Sequence, residues 1–354
     1  MNTYWNLQTL WFVLIAVLWM GYFFLEGFDF GVGMLLPFLG RDDADRRVII
    51  NSIGPVWDGN EVWLLVAGGA TFAAFPVWYA TVFSGFYLAL FLILLGLIFR
   101  AVAFEFRGKT DDPRWRRWWD RALFWGSALP ALLWGVAFAD FVNGVPIDAN
   151  REFVGNLLDL LQPYALVGGL ATLSLFLLHG ALFLTLKTTG ELRERANRTA
   201  ASLWWVAGAA VLAFLTWSFV NAAVRQDKGI VPDAVPLSAL GAMVAVGWLR
   251  REGWELGAFL LNGAAIVLVT ATIFLNLYPR VLISSLAAAN NLTIFNSSSS
   301  QYTLTVMTVI ALFFTPIVLA YQGWTYWVFR KRIDRSELRP AAAPVSGHPT
   351  SGGH

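Results

Sequence analysis

Runs of apolar residues long enough to cross a membrane recur from one end of this chain to the other. About 20 apolar residues coiled into an α-helix match the hydrocarbon core of a bilayer, which is about 30 Å thick. The composition agrees with this pattern, because 57% of the 354 residues are hydrophobic and the chain contains 18 Trp and 28 Phe. The sequence therefore predicts an all-α polytopic membrane protein.

The apolar runs predict about nine transmembrane helices, arranged as two four-helix bundles plus one peripheral helix. The first run is long for one crossing and is interrupted by glycines, so we expect it to be bent or tilted. Its Gly27 and Gly31 have the spacing that lets transmembrane helices approach closely. The predicted helices lie near 7–39, 54–75, 77–99, 122–142, 163–186, 200–220, 236–249, 256–278 and 303–329.

The positions of Lys and Arg predict the orientation of these helices. Of the 25 basic residues, all but four lie in segments 40–53, 100–121, 187–199, 250–252 and the tail from Arg330. Cytoplasmic loops are enriched in Lys and Arg, so the N-terminus is expected outside and the C-terminus in the cytoplasm. Residues 1–335 are expected to form the transmembrane subunit. Residues 336–354 are rich in Pro, Ala, Ser and Gly, which predicts a disordered cytoplasmic tail.

Several chemistries are excluded by composition. A net charge of +2 does not argue for nucleic acid as a partner, and the absence of cysteine excludes disulfides, thiolate-held iron–sulfur clusters and Cys-ligated zinc. The sequence has three histidines, of which His348 and His354 lie in the tail and only His179 lies within a predicted span. A haem with two histidine ligands therefore cannot be built from this chain. A hydrogen-bonded structural role suits His179 better than a ligand role.

Four acids lie in or near the first two predicted spans. Glu26 and Asp29 are either acids that reach the nearby membrane surface or partly buried acids that face the bundle. In the second span Asp58 and Glu61 are three apart, Trp57 and Glu61 are four apart, and all three are expected to share one helix face. Asp58 also suits a dipole-stabilised position at a helix start. Carboxylates at membrane depth are costly and indicate an ion or proton path.

Three further features contain charged residues: Arg100, Asp140 and a run rich in Trp and Arg. Arg100 has two possible interpretations. Arg100 either pairs with an acid from the first two helices, because a buried charge needs a partner, or anchors the third span at the membrane surface. Asp140 is expected to be a solvated acid at the interface. A Trp-rich and Arg-rich run predicts an anchor at the inner membrane surface; it comprises Trp115, Trp118, Trp119 and Trp125 with Arg114, Arg116 and Arg117.

Five motifs carry a family resemblance. They are Glu26–Gly33 (EGFDFGVG), Gly54–Trp63 (GPVWDGNEVW), Phe72–Pro76 (FAAFP), Phe83–Tyr87 (FSGFY) and Arg100–Arg107 (RAVAFEFR). With them the chain resembles subunit II of the cytochrome bd-type quinol oxidases, densely over residues 20–107 and more loosely over its whole length. The second motif is highly specific to that family.

The resemblance implies a multi-pass protein of the bacterial cell membrane that pairs with a haem-bearing subunit I. In that family subunit I holds haems b and d, and the complex oxidises quinol and reduces O2 to water. It takes protons from the cytoplasm without pumping them and so generates proton motive force. Subunit II resembles a haem-free twin that stabilises the complex and contributes to the proton path. Some members hold a structural quinone, and a small accessory subunit is a further partner to consider.

The resemblance also implies roles for individual residues. Asp58 is the first choice for the proton-path acid and Asp29 the second. Arg100 and Trp57 are expected to shape the path, with Glu26 and Glu61 as weaker candidates. No residue is assigned to a cofactor or a metal ion.

A proton-coupled secondary transporter is the competing hypothesis, because broken helices with intramembrane acids suit that class too. Against it, the acids cluster in the first two spans, and no paired broken helices recur in two corresponding halves of the sequence.

Overall fold

The computed structural model describes residues 6–224 and 234–337. This part of the chain is all-α apart from one short antiparallel hairpin of strands β1 (Arg280–Leu282) and β2 (Leu292–Thr293). The helices are α1 (Leu7–Leu39), α2 (Asp43–Ile53), α3 (Trp57–Ala74), α4 (Pro76–Gly85), α5 (Tyr87–Phe106), α6 (Pro113–Asn143), α7 (Pro163–Lys187), α8 (Gly190–Val224), α9 (Ala234–Arg251), α10 (Glu255–Leu277) and α11 (Gln301–Val328).

Seven helices of the described residues are long and apolar enough to cross a membrane. These are α1, α5, α6, α7, α8, α10 and α11. The predicted spans 54–75 and 236–249 correspond to α3 and α9, which are 18 residues each and carry two charged side chains each. By length and composition they fall outside the seven.

The predicted third span, 77–99, is not one helix. Phe86 leaves the helical conformation (φ −94°, ψ 18°) and separates α4 from α5. Its ring is buried, so the break is held inside the protein. Helix α5 then continues to Phe106, beyond the predicted end at 99, so Arg100 lies inside the helix.

Two segments predicted as loops are partly helical. Asp42 caps α2 by accepting a hydrogen bond from the Asp45 backbone N–H at 2.9 Å, and α2 buries Val48 and Ile49. Helix α6 begins at Pro113, well before the predicted start at 122, because a proline suits the first helical turn and Asp112 caps it. Helix α2 thus lies between two apolar runs, and α6 begins before one.

Helix α1 is the centre of the structure and packs against α3, α6, α7 and α10. The predicted close approach at its glycines is confirmed. A Cβ atom on Gly27 would meet the ring of Phe176 at 2.8 Å, and one on Gly31 would collide with the backbone of α7 at Phe176 and Gly180. The glycines therefore let α1 and α7 pack with their backbones nearly in contact.

Helix α11 lies at the edge of the fold, with most of its side chains exposed. Trp11 of α1 donates to the Leu304 carbonyl oxygen at 3.1 Å and holds the start of α11. Beyond α11 the chain is attached to the end of α7, where the Ile333 N–H donates to the Lys187 carbonyl oxygen at 2.8 Å. A short 3₁₀ turn covers Arg335–Glu337. The rest of the predicted tail, from residue 338, lies outside the described residues.

Candidate functional site

Helices α1, α3 and α5 bring a group of polar side chains together inside an apolar interior. Helix α1 contributes Glu26 and Asp29, which are one turn apart, and both are fully buried. Helix α3 contributes Asn60, which is fully buried, and Glu61, whose side chain is 21% exposed. Helix α5 contributes Arg100, which is fully buried. We call these five residues the Arg100 network.

Arg100 is paired with two carboxylates. Its Nη1 contacts Glu26 Oε1 in a short ion pair and lies 3.3 Å from Glu61 Oε2. Its guanidinium carbon lies 4.9 Å from the ring centre of Phe30 and 5.9 Å from that of Trp57. These contacts replace part of the water that a buried guanidinium loses. The paired interpretation of Arg100 is therefore confirmed, and the surface-anchor interpretation is wrong.

Asp29 is connected to α11 through Asn60. The Asn60 side-chain amide donates to Asp29 Oδ2 at 2.6 Å. Asn60 Oδ1 in turn accepts hydrogen bonds from Tyr326 Oη at 2.7 Å and from the Gln322 amide at 3.2 Å. Trp63 Nε1 donates to Gln322 Oε1 at 2.8 Å. A continuous chain of hydrogen bonds thus runs from α1 through α3 to α11.

Several buried donor and acceptor atoms in and beside the network have no hydrogen-bond partner. Among the described residues, Asp29 Oδ1, Tyr22 Oη and the Nε and Nη2 atoms of Arg100 are buried without a hydrogen-bond partner. The oxygens of Glu26 contact Arg100 as an ion pair but make no hydrogen bond of ordinary geometry. Three carboxyl groups share one cation, so Arg100 alone does not balance their charge when all three are ionised.

The structure separates Asp58 from this network. Asp58 is in the first turn of α3 and is exposed, and its carboxylate accepts a hydrogen bond from the Gly59 N–H at 2.7 Å. It shares the exposed face of α3 with Val62 and Leu65, which are 48% and 72% exposed. Trp57, Asp58 and Glu61 all lie in the regular helix α3, as predicted, but only Trp57 and Glu61 contact Arg100, and Asp58 is exposed. A spacing of three residues does not decide which side of a helix meets its neighbours.

Sequence reasoning missed Gln322 and Tyr326, which complete the network from α11. They are four residues apart on one face of a helix that is otherwise largely apolar. That pair of polar residues is the signal in the sequence, but nothing in the sequence indicates that it meets Asn60.

Two other predictions have clear outcomes. Asp140 was expected at a solvated interface, and this is wrong, because it is fully buried near the end of α6. Neither of its carboxyl oxygens has a hydrogen-bond partner among the described residues. His179 has the structural role: its Nε2 donates to the Phe24 carbonyl oxygen at 3.1 Å, and its ring stacks on Phe259 with centres 4.4 Å apart. The described residues contain no group of three His, Cys, Asp or Glu that would hold a metal ion.

Comparison with known proteins gives a consistent result. A family model described as cytochrome bd terminal oxidase subunit II matches residues 7–329. The chain is 44% identical over 337 residues to the cytochrome bd ubiquinol oxidase subunit 2 of Bacillus subtilis (strain 168), covering 94% of this chain and 98% of that protein. It is 35% identical over 368 residues to the cytochrome bd-I ubiquinol oxidase subunit 2 of Escherichia coli (strain K12), covering 94% and 96%.

The fold also matches a solved structure. It superposes on a chain of the bd oxidase from Geobacillus thermodenitrificans with a TM-score of 0.71, covering 91% of this chain and 98% of that chain. The sequence identity in this comparison is 17%, so it shows a shared fold.

Proposed function

Because the chain belongs to the family of cytochrome bd terminal oxidase subunit II, we propose that it is the haem-free subunit of its complex and that the Arg100 network contributes to the proton path. The chain is an integral membrane protein and a subunit of a quinol:O2 oxidoreductase of the respiratory chain.

The proposed complex joins this chain to a subunit I that carries haems b and d. Subunit I oxidises quinol and passes the electrons to O2, which is reduced to water. Each electron that reaches O2 must be matched by a proton, and these protons come from the cytoplasm without a separate pumping step. This vectorial chemistry generates proton motive force.

Histidine supports the assignment of the haems to the partner. The ring of His179 is fully buried, its Nε2 is held by a hydrogen bond, and it stacks on an aromatic ring; its Nδ1 has no partner among the described residues but faces a packed interior. The remaining histidines, His348 and His354, belong to the tail beyond the described residues. We assign no residue to a structural quinone and none to a small accessory subunit; both stay predictions of the family resemblance.

The proposed membrane arrangement has nine crossings. Helices α3 and α9 are counted with the seven long apolar helices, and α4 and α5 together make the third crossing. The first eight form two four-helix bundles, and α11 is the peripheral ninth. The distribution of Lys and Arg supports an N-terminus outside and a C-terminus in the cytoplasm.

The excess of carboxyl groups over cations carries the proposal of a proton path. A structural ion pair needs only one carboxylate for Arg100. Here Glu26 and Glu61 both pair with it, and Asp29, which accepts a hydrogen bond from Asn60, lies one helical turn from Glu26. Exposure also falls in steps, from the exposed Asp58 through the partly exposed Glu61 to the buried Glu26. Acids with graded access to water beside one fixed cation suit the uptake and transfer of protons. Asp58 is the proposed entrance and Asp29 an inner acid, while Trp57 and Arg100 shape the path.

The test is to purify the complex through a tag on this chain. We expect the reduced-minus-oxidised visible spectrum to show haem b and haem d bands and the same sample to take up O2 when quinol is supplied. A colourless, homogeneous preparation from cells that produce the partner would overturn the proposal and would leave the proton-coupled transporter as the leading hypothesis.

A further inference from the structure

A groove of about 660 Å³ lies between α5 and α6. Its floor is at Gly96 and Gly126, where the two helices touch: a Cβ atom on Gly126 would meet the Gly96 carbonyl oxygen at 2.6 Å. Leu95 and Phe99 of α5 line one wall and are 37% and 41% exposed. Leu129 of α6 lines the deep end. The groove is therefore apolar along most of its length.

Three arginines form one end of the groove. Arg114, Arg117 and Arg121 are three and four residues apart, so they lie on one face of α6, and all three are exposed. None of them makes an ion pair with a carboxylate of the described residues. Arg116, in the same stretch, faces the other way and pairs with Asp43 at 3.0 Å. The helix thus separates an arginine that is neutralised within the protein from three that are not.

The same face of α6 changes character along the helix. Four residues after Arg121 comes Trp125, which is 65% exposed, and four residues later comes Leu129. At 1.5 Å per residue, the distance along α6 from Arg114 to Leu129 is about 22 Å. Trp118 stacks on Phe99 with ring centres 6.4 Å apart and joins α6 to α5 at the level of the arginines. The order is cationic, then aromatic, then apolar.

We propose that this groove is a specific site for one anionic phospholipid. The three guanidinium groups bind the phosphate, the Trp side chains lie at the level of the glycerol backbone, and an acyl chain lies over Gly96 and Gly126. Guanidinium groups recognise phosphate through paired N–H donors. Basic pockets between transmembrane helices are suited to acidic lipid headgroups. A lipid without net charge would leave the three arginines unbalanced.

The binding test uses the intact complex in detergent, titrated with phosphatidylglycerol and, separately, with phosphatidylcholine, with bound lipids counted by native mass spectrometry. The groove variant is Arg114→Gln/Arg117→Gln/Arg121→Gln. The matched control, Lys109→Gln/Arg198→Gln/Arg251→Gln, removes the same charge from exposed residues outside the groove. We expect the groove variant to bind its tightest phosphatidylglycerol about tenfold more weakly than wild type, and the control to bind it like wild type.

A second variant tests the apolar part without changing charge. Leu129→Trp fills the deep end of the groove, and we expect a similar loss of phosphatidylglycerol binding, since the acyl chain then has no space. The haem spectrum of each variant checks that the complex is intact.

Three results would overturn the proposal. One is equal retention of phosphatidylglycerol in the groove variant and wild type. Another is displacement of the lipid by inorganic phosphate at a concentration similar to that of the lipid, which would indicate a free-anion site. The third is a polypeptide that leaves the complex with the groove variant, which would indicate a protein occupant.

Discussion

Two clusters in this molecule both combine carboxylates with arginines, but acids outnumber arginines in one and arginines outnumber acids in the other. In the Arg100 network, three carboxyl groups lie near a single buried arginine. In the second cluster, between α2 and α6, the acids have at least two arginines each. Arg107 and Arg46 bind Asp120 at 2.6 and 2.7 Å, and Arg107 and Arg116 bind Asp43 at 3.0 Å each. We call this second group the Arg107 cluster.

The difference separates two uses of charge in one membrane protein. In the Arg107 cluster no acid depends on one cation. The pairs of Asp43 are partly exposed, whereas Arg107 and Asp120 are both nearly buried, so the cluster serves to fasten α2 and α6 to the turn that follows α5. In the Arg100 network the cation is fully desolvated and its neighbours compete for it. An arrangement of that kind costs stability, and proton transfer is the function that we propose for it.

The largest expected effect comes from removing the buried cation of the Arg100 network. Arg100→Gln leaves Glu26 and Glu61 without their cation, and loss of one partner from a buried pair costs about 3–5 kcal/mol. We expect little assembled complex, measured as haem per tagged chain. Arg107→Gln should be much milder, because Arg46 and Arg116 remain on its two acids. Equal yields for the two variants would remove the distinction between the groups.

A second variant sharpens this result. Glu26→Gln combined with Arg100→Gln removes an acid together with the cation, so fewer uncompensated charges stay buried. We expect the double variant to assemble better than Arg100→Gln alone. In a double-mutant cycle, its loss of assembled complex should be smaller than the sum of the losses of the two single variants. Additive losses would indicate that the two residues do not act as a pair.

The next effect is on turnover. Asp29→Asn keeps the shape of the side chain and its contact with Asn60 but removes a proton carrier, so quinol-driven O2 uptake per haem should fall at least about tenfold. Asp140→Asn is the matched control, since Asp140 is also a buried acid without a hydrogen-bond partner among the described residues but lies outside the network. Its turnover should stay near wild type. A loss of the same size in both variants would point to a general effect of buried acids.

Asp58→Asn should have a smaller effect. Asp58 is exposed in the first turn of α3 and makes no ion pair with the network, so we expect a loss of about threefold in turnover and an unchanged yield of complex. Oxygen uptake and haem content on one preparation measure both. Full turnover would assign this chain a purely structural role at that position.

The smallest effect concerns the surface, where Asp42 caps α2 and binds Arg335 at 2.5 Å. The Asp45 backbone N–H, together with Arg335, holds the pKa of Asp42 below its usual value. The stabilisation is therefore complete above the ordinary pKa of an aspartate, about 4, and is lost as the pH falls through the lowered pKa. We expect hydrogen exchange in the first turn of α2 to become faster over that acid range in wild type.

Two substitutions divide this effect into its parts. Asp42→Asn keeps a capping oxygen and removes the charge, so the exchange rate should lose its pH dependence beyond the intrinsic one. Asp42→Ala removes both, so exchange should be fast at every pH. Protection in Asp42→Ala equal to that of wild type would show that the cap does not hold this turn.

Much of the candidate site was accessible from the sequence, because acids and an arginine in apolar runs are costly and therefore conspicuous. Glu26, Asp29, Glu61 and Arg100 were identified in this way, and the structure brings them together. The wrong predictions concern residues whose burial or conformation depends on the helices that pack against them. Asp140 was assigned to water because it lies near the end of an apolar run, but α6 extends past it. Phe86 has no sequence feature that predicts the break between α4 and α5.

Hydropathy, spacing and side-chain size, which are local properties, were enough to predict a membrane-embedded helical protein and close packing at Gly27 and Gly31. The family was identified separately, from the resemblance of the motifs. The contact of Asn60, instead of Asp58, with Asp29 and the hydrogen bond from Tyr326 near the far end of the chain became visible only in the folded chain. Helical periodicity states which residues share a face, whereas burial depends on what packs against that face.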